Sequence, residues 1–350
     1  MAPDPIVYAE IGRRKLMVVS QLEWGRASGI GKKRTIEVFT PQQLGVDASK
    51  RGSLAAWIES LLRHVGVSEV CVPGDFPHGI ACALKRARFK VELLDRPPFP
   101  KRRSKRPEEV RHIAQAQRAA VIAMRSACAL IRGSDIDARG ILRVNGKRLT
   151  SEKVHRHIAG VLLAHDSFCA ETIVACGHQS ADPHERGHGP LTAHAPIVID
   201  IFPQHLNHGY WGDITRTVLK GTASRELKQM YAAVKAAQTA ALRAVCPGAS
   251  CLSVHREAVA VFHRRRFETR RQSDRAVGFI HSTGHGVGLA IHEAPSLGAS
   301  RERLRIGDVI TIEPGLYYPA LGGIRIEDTI VVTPHGWRYL APCEKHFEYQ

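Results

Sequence analysis

Three imidazoles, His281, His285 and His292, lie at spacings of four and seven within 279–293, among glycines at 284, 286 and 288 that have no side chain to block a ligand. Carboxylates at four other points sit in apolar or β-branched runs: Asp200 in Val198-Ile199-Asp200-Ile201, Asp213 in Gly212-Asp213-Ile214-Thr215, Glu313 in Thr311-Ile312-Glu313-Pro314 and Glu327 in Ile324-Arg325-Ile326-Glu327. Four carboxylates brought together in a buried sheet must be protonated or held by positive charge. Two divalent cations cancel four negative charges. Oxygen donors with one imidazole suit Mn(II), Co(II), Fe(II) or Zn(II) rather than a thiolate-seeking ion. Two such ions, roughly 3.5 to 4 Å apart, can hold a bridging hydroxide, polarise a carbonyl and stabilise an oxyanion. The chemistry implied is hydrolysis.

The elements that must position these groups come in two similar pieces. Segments 197–202 and 210–219, turning at Asn207-His208-Gly209, read as one hairpin; 309–313 and 324–332, turning at Gly322-Gly323, read as another. Asp200 and Asp213 are thirteen positions apart and Glu313 and Glu327 fourteen, so each hairpin can present its pair across two strands. Alternation puts Val198, Asp200 and Phe202 on one face, and Arg325, Glu327 and Thr329 on one face.

A long helix is expected from Pro107, with Val110, Ile113, Gln117, Val121, Met124, Cys128 and Ile131 as its stripe and Gly133 as its stop. Further helices are expected over 151–164, 224–245 and 251–263. Helices packed on a mostly antiparallel sheet make this an α+β domain. Before it, strands at 16–19, 35–39, 67–72 and 91–94 alternate with helices at 54–65 and 78–88, the pattern of a small α/β domain. Arg96-Pro97-Pro98-Phe99-Pro100 and the basic run 101–106 can continue neither helix nor central strand, so the division is placed at 1–105 and 106–350.

With 350 residues, 44% hydrophobic and 24% charged, the chain can bury a full core and is long enough for two domains. Eight cysteines without a C-x-x-C pair point to reduced thiols and a cytoplasmic location. There is no signal-like leader and no apolar run approaching the ~20 residues of a membrane span, so no membrane is expected. The net charge is +17, but the runs 101–106 and 264–266 lack interleaved aromatics and read as solvated arginines; no specific nucleic-acid partner is expected.

These ordered motifs resemble the pita-bread metallopeptidases, which include methionine aminopeptidase, Xaa-Pro aminopeptidase and prolidase, over residues 107–345. The resemblance implies a pita-bread catalytic domain preceded by a creatinase-like N-terminal domain, whose usual part in dimer contacts implies a homodimer. By position it implies that Asp200 binds one metal, that Asp213 and Glu327 bridge both, and that His285 and Glu313 bind the other. Glu313, preceding Pro-Gly, is implied as proton shuttle. His292 resembles the imidazole at the scissile carbonyl, and His184, in Pro183-His184-Glu185, resembles the substrate-binding imidazole. Thr215 is implied as a hydrogen-bond partner beside Asp213. His281 and Arg325 resemble positions lining the proline side of the pocket.

The implied activity is hydrolysis of Xaa-Pro bonds in peptides or dipeptides through a metal-bridging hydroxide, with Mn(II) or Co(II) ahead of Zn(II) or Fe(II). The alternatives are a methionine aminopeptidase-like enzyme, a creatinase- or lyase-like non-peptidase, and a non-catalytic peptide- or nucleic-acid-binding module. Relatives that abandon peptidase chemistry tend to lose metal ligands, whereas all five are present here. One departure is the interval from Asp200 to Asp213, two residues longer than the family spacing, so the turn 203–208 is expected to overhang the site.

Overall fold

The computed structural model describes residues 4–272 and 275–350. The chain divides into two units, Met1–Pro100 and Lys101–Gln350.

In the first unit Val7–Ile11 and Arg14–Val18 pair antiparallel, and Glu37–Phe39 adds parallel to the second of them. Glu69–Val72 and Lys90–Leu93 form a separate parallel pair. Helices Leu54–His64 and His78–Arg86 lie where their periodicity placed them. Leu16, Val18, Trp57 and Leu61 form the core beneath. A third helix, Gln21–Arg34, has no apolar stripe and buries only Gly31, so it left no periodic signal. It stops at Thr35, whose φ of 56° is left-handed, and the strand expected from 35 therefore begins at Glu37.

Among its described residues the second unit carries four α-helices: α1 (Pro107–Arg132), α2 (Ser151–Leu163), α3 (Arg225–Ala244) and α4 (Cys251–Arg264). Side-chain oxygens of Thr150, Ser224 and Ser250 cap the last three by accepting from backbone N–H groups three residues on. Strands β1 (Ile173–Cys176), β2 (Ile197–Ile201) and β3 (Ile214–Lys220) run antiparallel in that order, and Glu348–Tyr349 joins the edge of β3 in parallel. Next come β4 (His285–Gly286), β5 (Glu293–Ser296), β6 (Val309–Ile312), β7 (Gly315–Tyr318), β8 (Gly322–Arg325), β9 (Asp328–Thr333) and β10 (Gly336–Tyr339). A five-stranded sheet has the order β5-β4-β6-β9-β10. Met124, Ile158, Leu162, Val174 and Ile199 fill the core between α1, α2 and the first sheet. Met230, Val234, Val254, Phe262, Ile310 and Ile330 fill that between α3, α4 and the second.

The second hairpin differs from the expected one. β6 pairs with β9 at Thr311↔Thr329 and Ile312↔Asp328, while Ile324 and Arg325 pair with Leu316 and Gly315 in a hairpin of their own, β7 with β8. Pro314 has no N–H for the ladder, so β6 ends at Ile312. Glu313 and Glu327 consequently sit at the two breaks rather than on the strands.

The basic run 101–106 is also not simply solvated. Arg103 is buried, with its guanidinium 3.2 Å from Asp308 and 3.0 Å from Glu302, and the buried Lys105 Nζ is 2.7 Å from Glu293. Carboxylates at the second sheet's loops and at the start of β5 draw these two cations inward; Arg264, Arg265 and Arg266 stay exposed at the end of α4.

Candidate metal centre

Asp200 is the penultimate residue of β2 and faces Thr215 on β3, and Asp213 stands immediately before β3, so the two carboxylates are diagonal neighbours rather than directly opposed. Glu313 follows β6, Glu327 precedes β9, and His285 opens β4, which meets β6 at Gly286↔Ile310. The approach there is so close that a Cβ on Gly284 would stand 2.0 Å from the Thr311 carbonyl oxygen, which only glycine avoids.

Asp213, His285 and Glu327 each offer a ligand atom within 4.8 Å of the others. His285 Nε2 lies 3.3 Å from Glu313 Oε1 and 3.6 Å from Asp213 Oδ2. Asp200 is near enough for its charge to raise the pKa of both Asp213 and Glu327.

Three of the four carboxylates have a polar side chain that fixes them. Thr215 Oγ1 donates to Glu327 Oε2 at 2.7 Å, Thr311 Oγ1 to Glu313 Oε1 at 3.2 Å, and Arg325 Nη2 to Asp200 Oδ2 at 2.7 Å. Burial, reinforced by the charges of Glu327, Asp200 and Glu313, holds the Asp213 carboxyl well above the ordinary range. Burial and then Glu313 and Asp200 do the same to Glu327. Glu313 is also raised by burial, although His281 and Arg325 pull it back.

These residues fit a cation. Asp200 Oδ1 and Glu327 Oε1 are buried without a hydrogen-bond partner among the described residues, which is costly unless something else satisfies them. His285 Nδ1 donates to the Gly286 carbonyl at 3.2 Å, so in the neutral ring Nε2 carries a lone pair; that lone pair faces two carboxylates, and burial keeps the ring neutral by lowering its pKa. A lone pair aimed at carboxylate oxygens is repulsive on its own and is the donor set of a divalent ion, with the second nitrogen anchored on backbone as metal-bound histidines commonly are.

The remaining expected residues surround this group. His292 packs edge-on against His285 with ring centroids 4.4 Å apart. His184 is exposed, its backbone N–H donates to Asp182, and its charge reaches His281 and His292. His281 Nδ1–H donates to the Ser282 carbonyl at 2.7 Å, which leaves Nε2 to accept from Tyr317 Oη–H at 2.9 Å. Arg325 is 3% exposed rather than a solvated edge charge, and it donates to Tyr317 Oη at 2.8 Å, to Thr215 Oγ1 at 3.2 Å and to Asp200. Arg325, Tyr317 and His281 thus form a one-way hydrogen-bond chain. Tyr317, whose pKa burial pushes up to about 12, was not singled out from sequence, where Leu316-Tyr317-Tyr318 reads as ordinary strand. Gln117 lies fully buried in the otherwise apolar stripe of α1, and a carboxamide at such a position is the signal that the sequence offers.

The lengthened turn between β2 and β3 is anchored. Gln204–His205 pairs with Ser167–Phe168, and Trp211 N–H donates to the Gly288 carbonyl in the histidine loop at 2.9 Å. His205 and His208 stack at 3.9 Å, and His208 stacks on His112 of α1 at 4.6 Å. Parallel rings do not aim their nitrogens at one point, so the cluster is packing rather than a ligand set. All eight cysteines are free, and among the described residues no helix is long and apolar enough to cross a membrane.

The profile of metallopeptidase family M24 matches residues 111–334. The chain is 38% identical over 179 residues to the Xaa-Pro dipeptidase of Pyrococcus furiosus and 36% identical over 179 residues to that of Pyrococcus horikoshii, each alignment covering 50% of this chain and 48% of the relative. It therefore spans about half the length of these curated relatives. Among solved structures it resembles the Pyrococcus furiosus prolidase with TM-score 0.77 and 26% identity, covering 95% of this chain and 89% of that one. The Pyrococcus horikoshii prolidase gives 0.76 and 25%, covering 95% and 86%. The Xaa-Pro dipeptidase from Bacillus anthracis shares the fold at TM-score 0.81 and 24% identity, covering 99% and 90%.

Proposed function

Because the chain belongs to metallopeptidase family M24 and shares the pita-bread fold of its neighbours, we propose that it is a divalent-metal-dependent peptidase hydrolysing Xaa-Pro bonds at the N-terminus of peptides or in dipeptides. The observation that carries this reading is the meeting of the His285 Nε2 lone pair with Asp213 and Glu313, beside the unpartnered oxygens of Asp200 and Glu327. Asp200, Asp213, His285, Glu313 and Glu327 would hold two ions, Mn(II) or Co(II) ahead of Zn(II) or Fe(II). When bound, these supply the Lewis acidity that activates water and polarises the scissile carbonyl.

The chain's own groups perform the remaining work. Glu313, with a pKa raised by burial, takes the proton of the attacking water and returns it to the prolyl nitrogen as the C–N bond breaks. His292 and His184 flank the carbonyl and stabilise the developing oxyanion. A bond to proline has no N–H and a rigid ring on its leaving side, so recognition rests on shape. His281 and Arg325 form the proline side, with Arg325 acting through Tyr317 because its donors are already engaged. A homodimer and a cytoplasmic location belong to the same reading, supported by the family resemblance and by the cysteine pattern.

The test supplies Mn(II) and assays Ala-Pro, Ala-Pro-Ala and Met-Ala-Ser. Release of the residue before proline is expected. Release of Met with neither prolyl peptide cleaved overturns the specificity, and failure of the protein to bind metal overturns the reading as a whole. His292→Ala should lower kcat about 100- to 1,000-fold with a much smaller change in KM.

A further inference from the structure

Three of the four carboxylates at the centre are oriented by a side chain that touches the carboxylate itself: Arg325 for Asp200, Thr215 for Glu327 and Thr311 for Glu313. Asp213 is held differently, through its peptide group. The fully buried Gln117 of α1 accepts from Asp213 N–H at 2.7 Å through Oε1 and donates from Nε2 to the Asp213 carbonyl at 2.8 Å. Thr329 Oγ1 donates to the same carbonyl at 2.8 Å. The preceding residue rests directly on the helix: a Cβ on Gly212 would stand 2.6 Å from Gln117 N and 2.7 Å from Ala116 C. The backbone that launches the Asp213 side chain therefore cannot rotate without breaking hydrogen bonds buried in the core.

We propose that Gln117 is a positioning residue for Asp213, fixing the direction of its carboxylate and so setting the affinity of the centre for its metal ions. This rests on the metal-dependent reading above. Two features separate the role from simple packing. An apolar side chain at this stripe position would bury at no polar cost, whereas a carboxamide is tolerated only with its partners made. Both of its partners are the backbone groups of one residue, Asp213, whose carboxylate lies 3.6 Å from His285 Nε2 and shares a ligand cluster with Glu327, a place where free rotation would spoil a binding geometry. Partners that orient metal ligands from outside the coordination sphere are typically worth a factor of 10 to 100 in metal affinity.

The experiment compares Gln117→Met and Gln117→Leu with Met124→Ala, a core substitution on the same helix with no bond to the centre. Mn(II) is titrated into each metal-stripped protein by calorimetry, and the loaded proteins are examined by electron paramagnetic resonance. Expected for either Gln117 variant are Mn(II) affinity lower by about 10- to 100-fold and an altered Mn(II) spectrum. Met124→Ala should lose thermal stability yet bind Mn(II) within about twofold of the unchanged protein. Native-like affinity and spectrum in whichever Gln117 variant folds overturn the proposal, as does an equal loss of affinity in Met124→Ala. Failure of the unchanged protein to bind Mn(II) overturns the metal reading beneath it instead.

Discussion

Two buried arginines each cross from one hairpin to an aspartate associated with the other, and the two aspartates end in different states. Arg216 on β3 donates to Asp328 Oδ1 at 2.6 Å, and the other oxygen, Oδ2, lies 3.0 Å from Gln238 Nε2 and 2.7 Å from Lys345 Nζ. Arg325 donates to Asp200 Oδ2 at 2.7 Å, and Oδ1 has no donor among the described residues. Strand alternation puts Arg216 on the side of β3 opposite Thr215, away from the candidate metal centre. A closed strut and a half-open joint are thus made from the same pair chemistry. Burial and pairing are common to both; the unpartnered oxygen of Asp200 distinguishes the one at the candidate metal centre.

The sharpest way to break this contrast is to change the other carboxylate at the candidate centre with an unpartnered oxygen, Glu327. Glu327→Gln keeps the shape and the contact to Thr215 but loses a charge that would serve both ions of the proposed centre. Its kcat/KM should fall by at least about 1,000-fold, and its metal content per chain should fall with it. Retention of native metal content and activity would mean that the unsatisfied atoms do not mark the site. On the closed side, Asp328→Ala leaves the Arg216 guanidinium buried without its carboxylate. Urea unfolding should show a loss of about 3 to 5 kcal/mol, equal in the chelated and the metal-loaded protein. A loss confined to one of these forms would show that the strut belongs to the centre after all.

A finer distinction comes from pH in the chelated protein. Asp213, Glu327 and Glu313 have folded pKa values above their unfolded ones, so the folded chain binds more protons and loses stability as pH rises above about 4. The melting temperature with chelator should decline more steeply above that pH for the unchanged protein than for Glu327→Gln, and metal should abolish the difference. Identical slopes would exclude crowding of these carboxyls.

The smallest effect lies in the turn between β2 and β3. Burial, with His205 and His112 adding their charges, pushes His208 down to about 4, while Asp166 faces His205 and Glu109 bonds Tyr210 beside the stack. A histidine depressed on folding is protonated first in the unfolded chain, so stability falls as pH drops from about 6.5 to about 4. His208→Gln should flatten that part of the melting profile; an unchanged slope assigns it elsewhere.

The carboxylates and the histidine loop were legible in the sequence because charge inside a β-branched run has few physical excuses. The capped helices were legible because local periodicity and local caps make them. What escaped notice depends on partners distant in the chain. Gln117 and Tyr317 resemble core fillers until Asp213 and Arg325 are brought against them, and Arg103 and Lys105 look solvated until Asp308 and Glu293 arrive. The expected hairpin of 309–313 with 324–332 did not show that Pro314 ends the ladder or that residues 315–325 fold back on themselves.

The crossed arginines also constrain how the chain reaches its final state. Asp200 and Arg325 are 125 residues apart and Arg216 and Asp328 are 112 apart, so neither hairpin can neutralise its buried charge during early collapse. At a synthesis rate of about 5 to 20 residues per second, Asp200 emerges from a ribosome roughly 6 to 25 s before its counter-charge. Through that interval the first hairpin is an unfinished, exposed edge. Closure of the long loops that unite the halves, rather than formation of either sheet, is the slow event to look for in refolding.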